Sequence, residues 1–184
     1  ITLGVWGSQV RILSSRPVEL APKSNASSQS PRCGLVTRDV DGHILRVMTT
    51  RTLASLHTAV RDDIVDLVTR RPVPGAGLEQ VDPFLFLNHH GPQTYPPGNN
   101  GLPFGPHPHR GFETVTFILE GSLAHHDTGG GESIVEEGGV QWMTAGSGLT
   151  HAELSPESFK QSGGPLEILQ LWVNLPARLK MTTP

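Results

Sequence analysis

From about residue 57 onward, apolar residues come in short runs separated by Gly, Pro, Asn and Asp. That rhythm predicts strands joined by turns. Residues 63–71, DIVDLVTRR, are rich in β-branched side chains, PVPGAG at 72–77 breaks them off, and PFLFLN at 83–88 reads as a buried strand. The stretch 95–108, YPPGNNGLPFGPHP, is so dense in Pro and Gly that it predicts a loop. In FETVTFILEG, at 112–121, Val115, Phe117 and Leu119 share one face while Thr114 and Thr116 share the other, the period of a half-buried strand. LAHHDTGGGESIVEEGGVQWMT then predicts three strands divided by a Gly-rich and a Gly-Gly turn, and LTHAEL and LEILQLWVNLP supply two more. Roughly seven to nine short strands at this spacing predict an all-β sandwich or barrel. No internal repeat is found.

Residues 1–47 carry no such period and precede the first methionine, Met48. They are read as an unstructured or non-native extension, although a Ser- and Arg-rich start whose first 38 residues hold one acid, Glu19, also suits an organellar transit peptide. Charge follows the same division. Residues 1–50 hold 6 Lys and Arg against 3 Asp and Glu, leaving 8 against 14 in the body of a chain whose net charge is -3. An acidic body offers no basic face for phosphates, so no direct nucleic-acid ligand is expected. The lone Cys33 can make neither an internal disulfide nor a cysteine zinc site, which fits a reducing, cytoplasmic setting. No apolar run approaches the roughly 20 residues that span a bilayer, so no membrane role is expected.

Two stretches carry chemistry. In HPHRGFETV, at 107–115, His107 and His109 sit two positions apart, and a continuous pleat from 107 to 119 would put them on the face of Glu113, Val115, Phe117 and Leu119. Some 40 residues on, His151 and Glu153 repeat the i, i+2 spacing behind a tight AGSG turn. Two such pairs on facing strands could converge on one ion, because neutral imidazoles and a carboxylate suit borderline divalent metals, with iron, nickel, copper, manganese and zinc all admissible. Four protein ligands on an octahedral ion leave positions open for water, substrate or O2. His89 and His90, and His125 and His126, fall at expected strand ends and turns, where ordinary hydrogen bonds outrank ligation. Glu113 could equally pair with Arg110. Trp142 and Trp172, in apolar strands, read as core before substrate platform.

HPHRGFETVTFILEG, VQWMTAGSGLTHAE and LQLWVNLP, with VDPFLFLNHHGP upstream, resemble the pirin family of the cupin superfamily from about residue 63 to the end of the sequence. The resemblance implies a cupin double-stranded β-helix, a single jelly-roll barrel over about 48–176. It implies a metal, usually Fe(II), on His107, His109, His151 and Glu153, and leaves Glu113 out of the ligand set. Pirins resemble bicupins, so residues 177–184 are expected to begin a linker to a second barrel. Without that barrel, apolar surface around the last strand would favour self-association. Two activities are implied. One is a quercetin 2,3-dioxygenase-type opening of a flavonol ring with O2, in which Glu153, as catalytic base, or a metal-bound hydroxide would accept the proton of the flavonol 3-hydroxyl. The other is an iron-dependent transcriptional co-regulator that acts through protein partners.

Overall fold

The computed structural model describes residues 2–6, 9–17, 36–38, 44–46 and 51–184, with side chains from Leu53 onward. Four strands precede the patterned part of the chain: β1 (Thr2–Trp6), β2 (Gln9–Pro17), β3 (Val36–Arg38) and β4 (Ile44–Arg46). β1 and β2 form a three-stranded sheet with β5 (Arg51–Thr58), and β3 pairs with β4. Residues 1, 7–8, 18–35, 39–43 and 47 lie outside the described residues, so the expectation for 1–47 as a segment is taken up below as a prediction. The chain divides into two compact units, of which the second takes in His57–Pro184.

That second unit is built from β6 (Val60–Arg61), β7 (Thr69–Val73), β8 (Phe84–Tyr95), β9 (Phe104–His109), β10 (Phe112–Glu120), β11 (Ser122–Asp127), β12 (Glu132–Glu136), β13 (Val140–Thr144), β14 (Leu149–Leu154) and β15 (Gly164–Asn174). A six-stranded antiparallel sheet in the order β13-β10-β15-β8-β7-β6 faces a four-stranded one in the order β12-β11-β14-β9. This is the predicted cupin jelly roll. Between the sheets Ile118, Leu166 and Ile168 from one meet Leu123 from the other, together with Leu67, Tyr95, Leu102 and Phe159. Burying each of these aliphatic side chains contributes about 2 kcal/mol. Phe159 comes from the short helix α1 (Glu157–Ser162), which the strand rhythm did not predict and which sets its ring edge-on to Tyr95 at 5.8 Å.

The pleat expected to run unbroken from 107 to 119 is cut. Gly111, at φ 80°, turns the chain from β9 in one sheet into β10 in the other, and its N–H donates to Gly146 O at 2.8 Å. Only a residue without Cβ takes that φ without strain. The cut reverses the face on β10: Thr114, Thr116 and Ile118 point inward and are fully buried, whereas Phe117 is half-buried and Leu119 is 41% exposed. Val115 is buried as well, on the outer side.

Three other expectations shift. The Pro-rich 95–108 stretch is a loop only in part, because 104–109 form β9 at the edge of the four-stranded sheet, where a missing N–H is tolerated. β8 continues past Asn88 to Tyr95, which places His89 and His90 inside a strand. In 63–71 an Ile64–Leu67 bridge forms a tight turn before β7 begins at Thr69. β15 lies between β10 and β8, so neither of its backbone edges is free, although Leu169, Leu171 and Val173 remain partly exposed on its outer face.

Candidate metal centre

β9 and β14 are neighbours, and their register sets His107 directly opposite His151, with His109 opposite Leu149. Period-two spacing keeps His107 and His109 on one face. The ligating nitrogens of His107, His109 and His151 consequently lie within 4.8 Å of one another. His107 Nε2 and His151 Nε2 are 3.0 Å apart. Two nitrogens bound at about 2.1 Å to one ion and at right angles would stand about 3.0 Å apart, so this pair already has the spacing of adjacent ligands. His107 Nδ1 donates to Gly105 O at 2.7 Å, a bond that puts the proton on Nδ1 and leaves Nε2 as a lone pair.

Electrostatics favour neutral rings. Burial, and then the neighbouring His107, lowers the pKa of His109 to about 4. Burial followed by His107, His109 and His125 lowers that of His151 to about 3. Both rings therefore keep a lone pair near neutral pH. Phe112 and Trp172 pack edge-on to the His109 ring at 5.0 and 5.1 Å, and Trp172 is itself stacked between Phe112 and Phe86. These rings hold the imidazole in place. The donor set fits a divalent transition metal on chemical grounds.

Glu153 stands apart from the three-nitrogen group. It is 1% exposed, two residues beyond His151, with a register irregularity between them, and each of its oxygens is engaged. Thr116 Oγ1 donates to Oε1 at 2.9 Å, and Gln170 Nε2 donates to Oε2 at 2.6 Å. Desolvation raises the carboxyl pKa, opposed by the Thr116 bond, by His107 and His125, and by the Gln170 bond. Sequence reasoning missed both donors. The signal for Gln170 was present, as an amide on a face shared with Leu166, Ile168 and Trp172.

Glu113 lies away from the cluster. Its carboxylate accepts from Trp142 Nε1 at 3.0 Å and Thr144 Oγ1 at 2.9 Å, while Arg110 donates to Met181 Sδ instead of pairing with it. Trp142 is not core: it is 65% exposed, because its strand position faces outward on the edge strand β13. His125 pairs with Asp127 at 2.8 Å behind His151, and His89 pairs with Glu167 at 2.7 Å. The exposed His126 reaches Glu132 at 3.7 Å. The segment expected to begin a linker folds against the site's loops. Lys180 Nζ donates to Gly111 O at 3.0 Å, and Ser147 N donates to Thr182 O at 2.8 Å. A groove of about 440 Å³ is lined by Pro108, Arg110, Leu149 and Thr150, and of the three histidines it includes His109.

Residues 66–173 match the family model described as Pirin. A pirin-like protein of Caulobacter vibrioides is 48% identical over 106 residues, 58% of this chain and 36% of that protein. The crystal structure of quercetin 2,3-dioxygenase from Acinetobacter baumannii superposes with a TM-score of 0.62 at 34% identity, covering 68% of this chain and 41% of that one. A bacterial pirin of Escherichia coli, solved in complex with nickel(II), gives a TM-score of 0.53 at 26% identity, covering 68% and 52%. The chain spans less than half the length of the curated relatives it matches. Among the described residues, no helix is long and apolar enough to cross a membrane.

Proposed function

Because the chain belongs to the pirin family, we propose that His107, His109, His151 and Glu153 hold one divalent transition metal and that the centre serves a quercetin 2,3-dioxygenase-type reaction, opening a flavonol ring with O2. The observation that carries the reading is the 3.0 Å approach of two imidazole nitrogens beside a third, with the His107 lone pair fixed by Gly105 O. Fe(II) is the metal proposed, and the nickel complex of the Escherichia coli pirin shows that a relative also accepts a neighbouring first-row ion. The dioxygenase from Acinetobacter baumannii supports the flavonol as substrate.

When bound, the metal supplies Lewis acidity toward the substrate hydroxyl and one-electron chemistry toward O2. The protein supplies the rest. Glu153 receives the proton of the flavonol 3-hydroxyl at a carboxylate oxygen, a role suited to a group whose desolvation raises its affinity for protons. Phe112 and Trp172 keep the His109 ring aimed. The burial of His151 and Glu153 excludes competing water.

The test is metal analysis of the parent and of the His107→Ala/His151→Ala double variant, followed by quercetin loss under air with the loaded parent. One metal per chain, its loss in the variant, and turnover by the parent are expected. Stoichiometric metal in the double variant would remove the site. Metal binding without turnover would instead favour a co-regulator acting through protein partners.

A further inference from the structure

Glu153 belongs to the four-stranded sheet, yet the hydrogen bonds to both of its carboxylate oxygens come from the other one. Thr116 on β10 and Gln170 on β15 are register partners, side by side on the inner face of the six-stranded sheet, and each is buried. The two donors take one oxygen each, Thr116 at Oε1 and Gln170 at Oε2. Two bonds to different oxygens fix the carboxylate plane, which a single bond would leave free to turn. They also leave each oxygen one further lone pair. The contact assigns the Gln170 amide as well: turned the other way, its oxygen would face a carboxylate oxygen at 2.6 Å with no proton between them.

Neutralising a buried carboxylate needs no particular orientation, but ligating an ion does. We propose that Thr116 and Gln170 are positioning residues that hold the Glu153 carboxylate in the orientation from which it joins His107, His109 and His151 around a divalent cation. This rests on the reading of Glu153 as a ligand. Partners that orient a ligand in this way usually change metal affinity by about 10- to 100-fold when removed.

The experiment uses the full chain, with Ni(II) titrated calorimetrically and Co(II) read by its visible spectrum. Thr116→Val keeps the shape of the side chain and removes the donor, Thr116→Ser keeps the donor, and Gln170→Leu removes the amide. Thr116→Val and Gln170→Leu are expected to bind Ni(II) about 10- to 100-fold more weakly and to alter the Co(II) spectrum, with Thr116→Ser restoring both. Parent-like affinity and spectrum in Thr116→Val and Gln170→Leu, alongside a loss in Glu153→Ala, would overturn the inference while leaving Glu153 a ligand. Parent-like binding by Glu153→Ala would overturn the ligand reading, and the inference with it. Where either replacement prevents folding, Gln170→Asn draws the amide back by one methylene. An unchanged spectrum and affinity there would also overturn the proposal.

Discussion

His90 should make this protein acid-sensitive independently of its metal chemistry. The ring is 1% exposed in β8, with Nδ1 2.9 Å from Thr69 Oγ1 and Phe104 packed 5.3 Å away. Thr69 spends its one hydroxyl proton on Leu67 O at 3.2 Å, so it accepts from His90, which puts the ring proton on Nδ1. Nε2 is then a lone pair with no partner, and protonation would create a buried N–H facing no acceptor. Burial, followed by the nearby His89 and Arg71, lowers the pKa from 6.5 to about 4. In the unfolded chain the ring takes up its proton as pH falls through 6.5, while the folded ring resists until about 4. Between those values the unfolded state binds more protons, so stability falls with falling pH in that window and is flat on either side of it. The drop in pKa corresponds to about 3 kcal/mol, enough to consume a large part of an ordinary folding stability. The assay is urea unfolding of metal-free parent and His90→Leu at several pH values from 7 to 4. The parent should lose about 3 kcal/mol more than the variant across that range, because acid effects at the other histidines are common to both. Parallel curves would refute the assignment of a neutral, unpartnered Nε2.

Glu113→Gln should bind Ni(II) as the parent does, by calorimetry, since its carboxylate serves Trp142 and Thr144; a tenfold loss would bring Glu113 into the ligand set. Gly163→Ala should lower stability by on the order of 1–3 kcal/mol, read as a shift of the urea midpoint, because Gly163 sits at φ 66° and an added Cβ would press on the backbone of Tyr95 and Pro96. An unmoved midpoint would show that the turn can relax. A chain starting at Met48 should unfold as cooperatively, and at the same temperature, as the full sequence; a broadened calorimetric transition would show that residues 1–47 contribute to the fold.

Local periodicity carried the strands from residue 112 onward, since Gly-rich turns punctuate them and each has an inner face. It failed where tertiary context decides. Arg110 and Gly111 look like an ordinary continuation of HPH, yet one positive φ moves the chain to the other sheet and inverts the face of everything up to Leu119. Trp142 reads as core because it is apolar, but β13 is an edge strand and the indole stands 65% exposed on its outer side. The histidine pairs were legible because a ligand spacing of two is local. Thr116 and Gln170 were not, because their meeting with Glu153 depends on how two sheets face each other, a relation that no window of sequence contains.

The prolines of β9 bear on what that strand can attract. Pro106 and Pro108 flank His107 at positions of the same parity, on the rim strand of the four-stranded sheet. Pro108 stands opposite Thr150 on β14. Residues that supply no N–H are accommodated where the donor would have pointed away from the neighbouring strand. Pro106 and Pro108 therefore withhold two amide donors from β9, which thins the ladder that an incoming peptide strand would extend. A histidine can thus stand at an open border, within reach of a diffusing ion or small molecule, while the backbone that carries it gives another polypeptide less to zip onto.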